Sequence, residues 1–184
     1  MKALDDKIEA NRADALRISS SGRARIKAVQ EDPRLTDLAK REQAAHITDE
    51  VRPQLADLAA REQQMVNDHV RFLQRQIYGT AGTSPEAVIT FRDAQERADK
   101  IEEQRPALTA MQRALVNKDD GMARALLGRA FDQGWAEVVA AYSAENPALE
   151  TYITDLRDLL NFKNNLGAQL TGSWNYQFGG GVVL

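Results

Sequence analysis

His46 and His69 are the residues best suited to acid–base or metal chemistry, because imidazole titrates near neutrality and ligates metals through a neutral ring nitrogen. They stand 23 residues apart in helical sequence, a separation with no evident metal spacing. No Glu-x-x-His pair of the di-iron type accompanies them. Both read as partly exposed helical residues. The stretch GTAGTSPE, residues 79–86, sets glycines ahead of a helix start, an arrangement that can hold an anion. It lacks the lysine and the spacing of a phosphate loop. NKDDG, residues 117–121, resembles a calcium loop only until the register is checked. With Gly121 at the glycine position the ligands would fall on Val116, Lys118 and Asp120, and no glutamate closes the loop. The chain has no cysteine, which excludes disulfides, thiolate zinc sites and cysteine nucleophiles. The expectation is a non-enzymatic protein that requires neither cofactor nor metal.

Two further sets of residues suit binding. Arg12, Arg17, Arg23, Arg25 and Lys27 make a mild basic run, broken in that stretch only by Asp14. It is a possible nucleic-acid contact, but no aromatic side chains are interleaved to stack on bases. A formal charge of −3 and a pI near 5.5 also lack the footprint of a dedicated nucleic-acid binder. The second set is the tail, TGSWNYQFGGGVVL, residues 171–184. Trp174, Tyr176 and Phe178 alternate with polar residues at the period of a half-buried strand, and an isolated strand is unstable without a partner. Three glycines then precede Val182, Val183 and Leu184. These six residues read as a docking arm, able to join a neighbouring subunit or fill an apolar groove; the bland alternative is that the tail folds back over its own helices.

The elements that position these residues are helices. Aromatics are 6% of the 184 residues, while Ala, Leu, Arg, Glu and Gln, which lose little freedom in a helix, are abundant. A helix over Lys2 to about Arg17 is expected, interrupted at Ser19–Gly22 and resuming over Arg23–Gln30. Asp32-Pro33, Ser84-Pro85 and Asn146-Pro147 each place a capping residue before a proline, a helix start signal. Another start follows at Asp119 or Asp120. Met122–Ala144 is the most apolar stretch and the expected centre of a compact core, with Gly128 and Gly134 marking close contact or a local break. The last helix runs from Pro147 to about Asn164. No apolar run approaches the roughly 20 residues of a membrane span, and the acidic N-terminal sequence does not read as a signal peptide.

PRLTDLAKREQ, residues 33–43, returns as PQLADLAAREQ at residues 53–63. Twenty residues of one straight helix advance by about 2000°, roughly 200° beyond whole turns. Leu35 and Leu38 would then face away from Leu55 and Leu58. Two helices over 33–46 and 49–78, forming a hairpin with the Arg-Glu-Gln ends at solvent, satisfy both copies; one long helix kinked at Pro53 is the alternative. The expected architecture is all-α, a long helical hairpin plus a compact helical bundle with an extended C-terminal arm. Its parts are residues 1–78, a loop at 79–84, a bundle at 85–167 and the arm at 168–184.

IEANRADALR, DLAKREQAAHI, ARALLGRAFDQGWAEVVAAYSAENP and the aromatic-glycine tail together resemble small helical structural proteins of tailed bacteriophages of actinobacteria. These include head-to-tail connectors and adaptors, minor capsid proteins and scaffolds. The resemblance implies a virion location, assembly in the host cytoplasm, and homo-oligomers that contact portal, capsid or tail components and pass an arm between neighbours. Two other readings stand beside it. One is a scaffold dimerising through the 33–78 helices, and the other a helical protein that contacts nucleic acid through residues 12–27.

Overall fold

A computed structural model of the chain describes residues 2–78, 85–164 and 176–178. The fold is all-α. In chain order it has α1 (Lys2–Glu31), α2 (Asp37–Tyr78), α3 (Pro85–Asp99), α4 (Gln104–Val116), α5 (Asp120–Gln133) and α6 (Ala136–Glu145). A 3₁₀ turn over Pro147–Leu149 then leads into α7 (Glu150–Asn164). Two compact units divide the chain, residues 1–69 with 162–184 and residues 70–161. The division falls inside α2, and Tyr176–Phe178 belong with the first unit.

The first unit is a hairpin, but not the one expected from the repeat. Both copies of the repeat lie in or against one 42-residue helix, α2, and the second arm of the hairpin is α1. The 200° phase difference shows directly. Leu38 is 67% exposed, whereas Leu55 is 1% and Leu58 6% exposed. Pro53 sits within α2 on its exposed side, so the missing backbone hydrogen bond falls where water can replace it. The first proline, Pro33, does not start a helix. Residues 32–36 form the turn between the arms, in which the Asp32 carboxylate accepts from Arg34 N at 2.9 Å. Thr36 Oγ1 accepts from Ala39 N at 3.3 Å and caps α2 instead.

The serine-rich stretch does not interrupt α1. Leu4, Asn11, Ala15, Ser19, Gly22 and Ile26 are its buried residues, a three-to-four spacing that keeps one face turned inward for the whole helix. That face meets Ile47, Val51, Leu55 and Leu58 of α2 in one apolar cluster with Ala15 and Ile26. Arg25 to Glu50 and Arg12 to Glu62 are cross-pairs running in opposite senses along the two helices, which makes the hairpin antiparallel.

In the second unit α5 is central, packing against α3, α4 and α6. Leu126, Leu127 and Ala130 of α5 are fully buried, as are Met111 of α4 and Val138 of α6. Asp119 caps α5, its carboxylate accepting from Met122 N at 3.0 Å. The expected long helix over 122–144 is two helices, because Gly134 ends α5 in the left-handed conformation at φ 70°, where a Cβ would be strained. Tyr152 of α7 meets Phe72 of α2 edge to face, ring centroids 6.4 Å apart. No described helix is long and apolar enough to cross a membrane.

One continuous α2 makes the two repeat copies energetically unequal. Leu55→Ala should destabilise the protein by about 2–5 kcal/mol, and Leu38→Ala by no more than about 0.5 kcal/mol. Urea unfolding of the two variants measures the difference; equal losses would contradict the single-helix phase.

Candidate functional site

The two histidines do not come together. Both lie on α2, where 23 residues span about 35 Å of helix axis at ~1.5 Å per residue. His46 is exposed and its Nδ1 lies 3.1 Å from Glu50 Oε1; His69 is half-buried. The glycine-rich loop at 79–84 lies outside the described residues, as do Trp174, Val182, Val183 and Leu184.

The basic run is spent largely on partners within the chain. Arg12 pairs with Glu62, Arg17 with Asp14 at 3.0 Å, Arg25 with Glu50 at 2.6 Å and Lys27 with Glu31 at 3.7 Å. Arg23 is exposed. Each pair places a carboxylate beside a cation that a phosphate would need, so the run presents little uncompensated positive charge.

Tyr176 and Phe178 do not project away from the chain. They lie on the α1/α2 hairpin in a site that the tail alone did not reveal. Its polar half is built around Glu62, whose side chain is 13% exposed. Arg12 donates to it twice, Nη2 to Oε1 at 2.7 Å and Nε to Oε2 at 3.0 Å, the paired geometry a guanidinium fork favours. The Tyr176 hydroxyl donates to Glu62 Oε2. It also accepts from Asn11 Nδ2 at 2.8 Å, and the same amide nitrogen donates to Leu58 O at 2.9 Å. One phenol therefore joins α1 and α2 through two side chains, Asn11 of α1 and Glu62 of α2. Burial, then the hydrogen bond to Glu62, push the Tyr176 phenol up to about 12.

The apolar half lies along the hairpin at Gly22. Phe178 is 8% exposed and belongs to the same cluster as Ala15, Val51 and Leu55. A Cβ added to Gly22 would stand 2.9 Å from Phe178 Cζ and 2.9 Å from Val51 Cγ2. Glycine is required here by the closeness of the ring, since even a methyl group would force one neighbour to move. Asn11 and Gly22 are three turns apart on α1, and the buried residues between them, Ala15 and Ser19, are small. Hydroxyl at one end and ring at the other make a two-point clasp, with Gln177 exposed between them.

No family model, curated protein or solved structure matches this chain. The geometry of the clasp carries the functional reading. The second copy of the repeat, expected to be plain scaffold with its Arg-Glu-Gln end at solvent, supplies Glu62. Its counterpart in the first copy, Glu42, is exposed. Asn11, Glu62 and Gly22 were missed at the level of sequence because each looks ordinary alone. The signal was the shared helical face, with Asn11, Ala15 and Gly22 at steps of four and seven.

A second concavity lies in the other unit. A cleft of ≈ 560 Å³ is lined by Tyr78 of α2, Phe91 and Arg92 of α3, and Arg124, Arg129 and Asp132 of α5, among others. Two of its arginines are held by backbone carbonyls, Arg124 Nη1 donating to Tyr78 O at 2.9 Å and Arg129 Nε to Ile101 O at 3.4 Å. Glu96, Asp99 and Asp132 share the lining, so the cleft is balanced in charge and favours neither an anion nor a cation.

Because folding favours the neutral phenol of Tyr176, its stabilisation is complete below the unfolded tyrosine value near 10 and is lost as pH rises through about 12. Burial also pushes the Tyr78 and Tyr142 phenols up, so an absorbance titration of the phenolates should show several late-titrating tyrosines, one fewer in Tyr176→Phe. The same variant should lower stability by about 1–2 kcal/mol at neutral pH, since Asn11 loses an acceptor.

Proposed function

We propose that this chain is a non-enzymatic structural protein of a bacteriophage particle, an assembly subunit of the connector, adaptor or minor capsid kind. Its helical hairpin is the body that receives the C-terminal segment, and that segment is the docking element. The observation that carries this reading is the two-point seat for Tyr176 and Phe178. Asn11 and Glu62, with Arg12 paired to Glu62, hold a short peptide segment, an arrangement suited to recognising chain and not to converting a substrate.

The alternative of a scaffold dimerising through residues 33–78 has less surface to work with. Leu55 and Leu58, the apolar residues such a coiled coil would use, are buried against α1 of the same chain. Contact with nucleic acid through residues 12–27 is weakened by the ion pairs that already engage four of the five cations.

Assembly is tested by light scattering on the full-length protein over a wide concentration range. A discrete oligomer should form, and Phe178→Ala combined with Tyr176→Phe should raise the concentration needed by at least about tenfold. That follows from a loss of more than ~1.4 kcal/mol per docked segment. Circular dichroism should show unchanged helicity. A wild-type chain that stays monomeric throughout would overturn the assembly reading.

A further inference from the structure

The seat on α1 and α2 recognises three residues of chain, and nothing in its contacts requires those residues to come from the same molecule. Asn11 and Arg12 come from α1 and Glu62 from α2, while Gly22 and Val51 form the apolar end. All of them lie in a single hairpin. The guest, Tyr176–Phe178, is joined to the last described residue of α7, Asn164, through residues 165–175. Twelve residue steps reach at most about 40 Å when extended, enough to cross from one narrow hairpin to another beside it, a helix being ~10–12 Å in diameter.

We infer that the seat is an exchange site: in an assembly it takes Tyr176 and Phe178 of a second copy of this chain, and in the free subunit it holds its own. This rests on the reading of the chain as an assembly subunit and names the partner of its clasp. The occupant is set by the chemistry of the seat. A hydroxyl must meet Glu62 and Asn11 while a ring two residues further on lies over Gly22, and the Tyr-x-Phe of residues 176–178 supplies both. A second copy offers the same contacts, so exchange leaves the contact energy unchanged.

What decides between own and neighbouring segment is effective concentration. Being joined to its own seat through a dozen residue steps holds the segment there at a local concentration on the order of millimolar. The free subunit at micromolar concentration is therefore self-capped, with its seat filled and its segment stored. A neighbour's segment competes only where subunits are set side by side and its local concentration reaches the same range. The self-contact thus delays joining until subunits have been gathered by other contacts.

Two full-length variants separate guest from host. Gly22→Leu fills the apolar end of the seat, pressing on Val51 of the hairpin as well, and leaves the segment's own residues intact; Phe178→Asp spoils the segment and leaves the seat open. Neither can cap itself, so the internal competitor is absent in both. Mixed at equal concentrations of several hundred micromolar, they should form a one-to-one heterodimer, with about twice the chain mass by light scattering. Either variant alone should lack this species. A mixture that shows only the two separate masses would overturn exchange. If both variants instead oligomerise alone as the wild type does, exchange falls while the assembly reading survives. Circular dichroism checks folding, and should Gly22→Leu lose helicity, Gly22→Ala with Phe178→Leu must show the same order of masses in a weaker form.

Discussion

Glu62 is a carboxylate with most of its side chain out of water, and a charge so placed is tolerable only when paired and hydrogen-bonded. Arg12 supplies the charge from the facing helix in a fork that leaves little rotational choice. That pair fixes the register of α1 against α2 at one end of the hairpin, as Arg25 with Glu50 does nearer the turn. Once the register is set, Asn11 stands opposite Leu58 and can cover its carbonyl. The amide's other hydrogen is left aimed at the position the Tyr176 hydroxyl occupies. The polar end of the clasp is thus a consequence of stabilising one buried charge.

The apolar end follows from side-chain size. α1 turns small residues inward where α2 turns large ones, Ala15, Ser19 and Gly22 against Val51, Leu55 and Leu58. Helices that meet through unequal side chains leave a furrow beside the smaller ones, and Phe178 fills it over Gly22. The ring is packed among residues that already form the hairpin core, so the C-terminal segment contributes to the hairpin it docks on. A single substitution at position 22 therefore acts on segment and hairpin together, whereas one at Gln177, which is exposed, acts on neither.

Much of this was legible from spacing and little from composition. Pro85, Asp119 and Gly134 did what their local chemistry dictates, because a missing N–H, a carboxylate cap and a left-handed turn are decided within one turn of chain. Ser19–Gly22 misled for the opposite reason. Read as helix breakers these residues predict an interruption, but their tertiary setting requires small volume, and packing overrides a propensity penalty of about 1 kcal/mol. Residues 33–36 failed in a similar way, since Asp32 and Pro33 serve equally well in a turn that precedes a helix. The two repeat copies could not be told apart by sequence identity at all; only the 200° between them shows that Glu62 turns inward and Glu42 outward. The all-α class needed nothing beyond composition and period, and it is the part of the reading that required no partner.

The clasp also bears on why the chain distributes charge as it does. Four of the basic residues of α1, Arg12, Arg17, Arg25 and Lys27, are matched by acids on the same helix or on α2, and the exposed pairs among them contribute little stability in water. Their larger effect is on association. Cations matched in this way draw in polyanions less than free ones would, and a net charge of −3 over the whole chain repels neighbouring copies only weakly. Neighbouring subunits can then approach to the distance at which a short tether spans them. A seat made specific by a part-buried ion pair, on a body whose pairs of Arg17 with Asp14, Arg25 with Glu50 and Lys27 with Glu31 are largely exposed, puts recognition in the clasp.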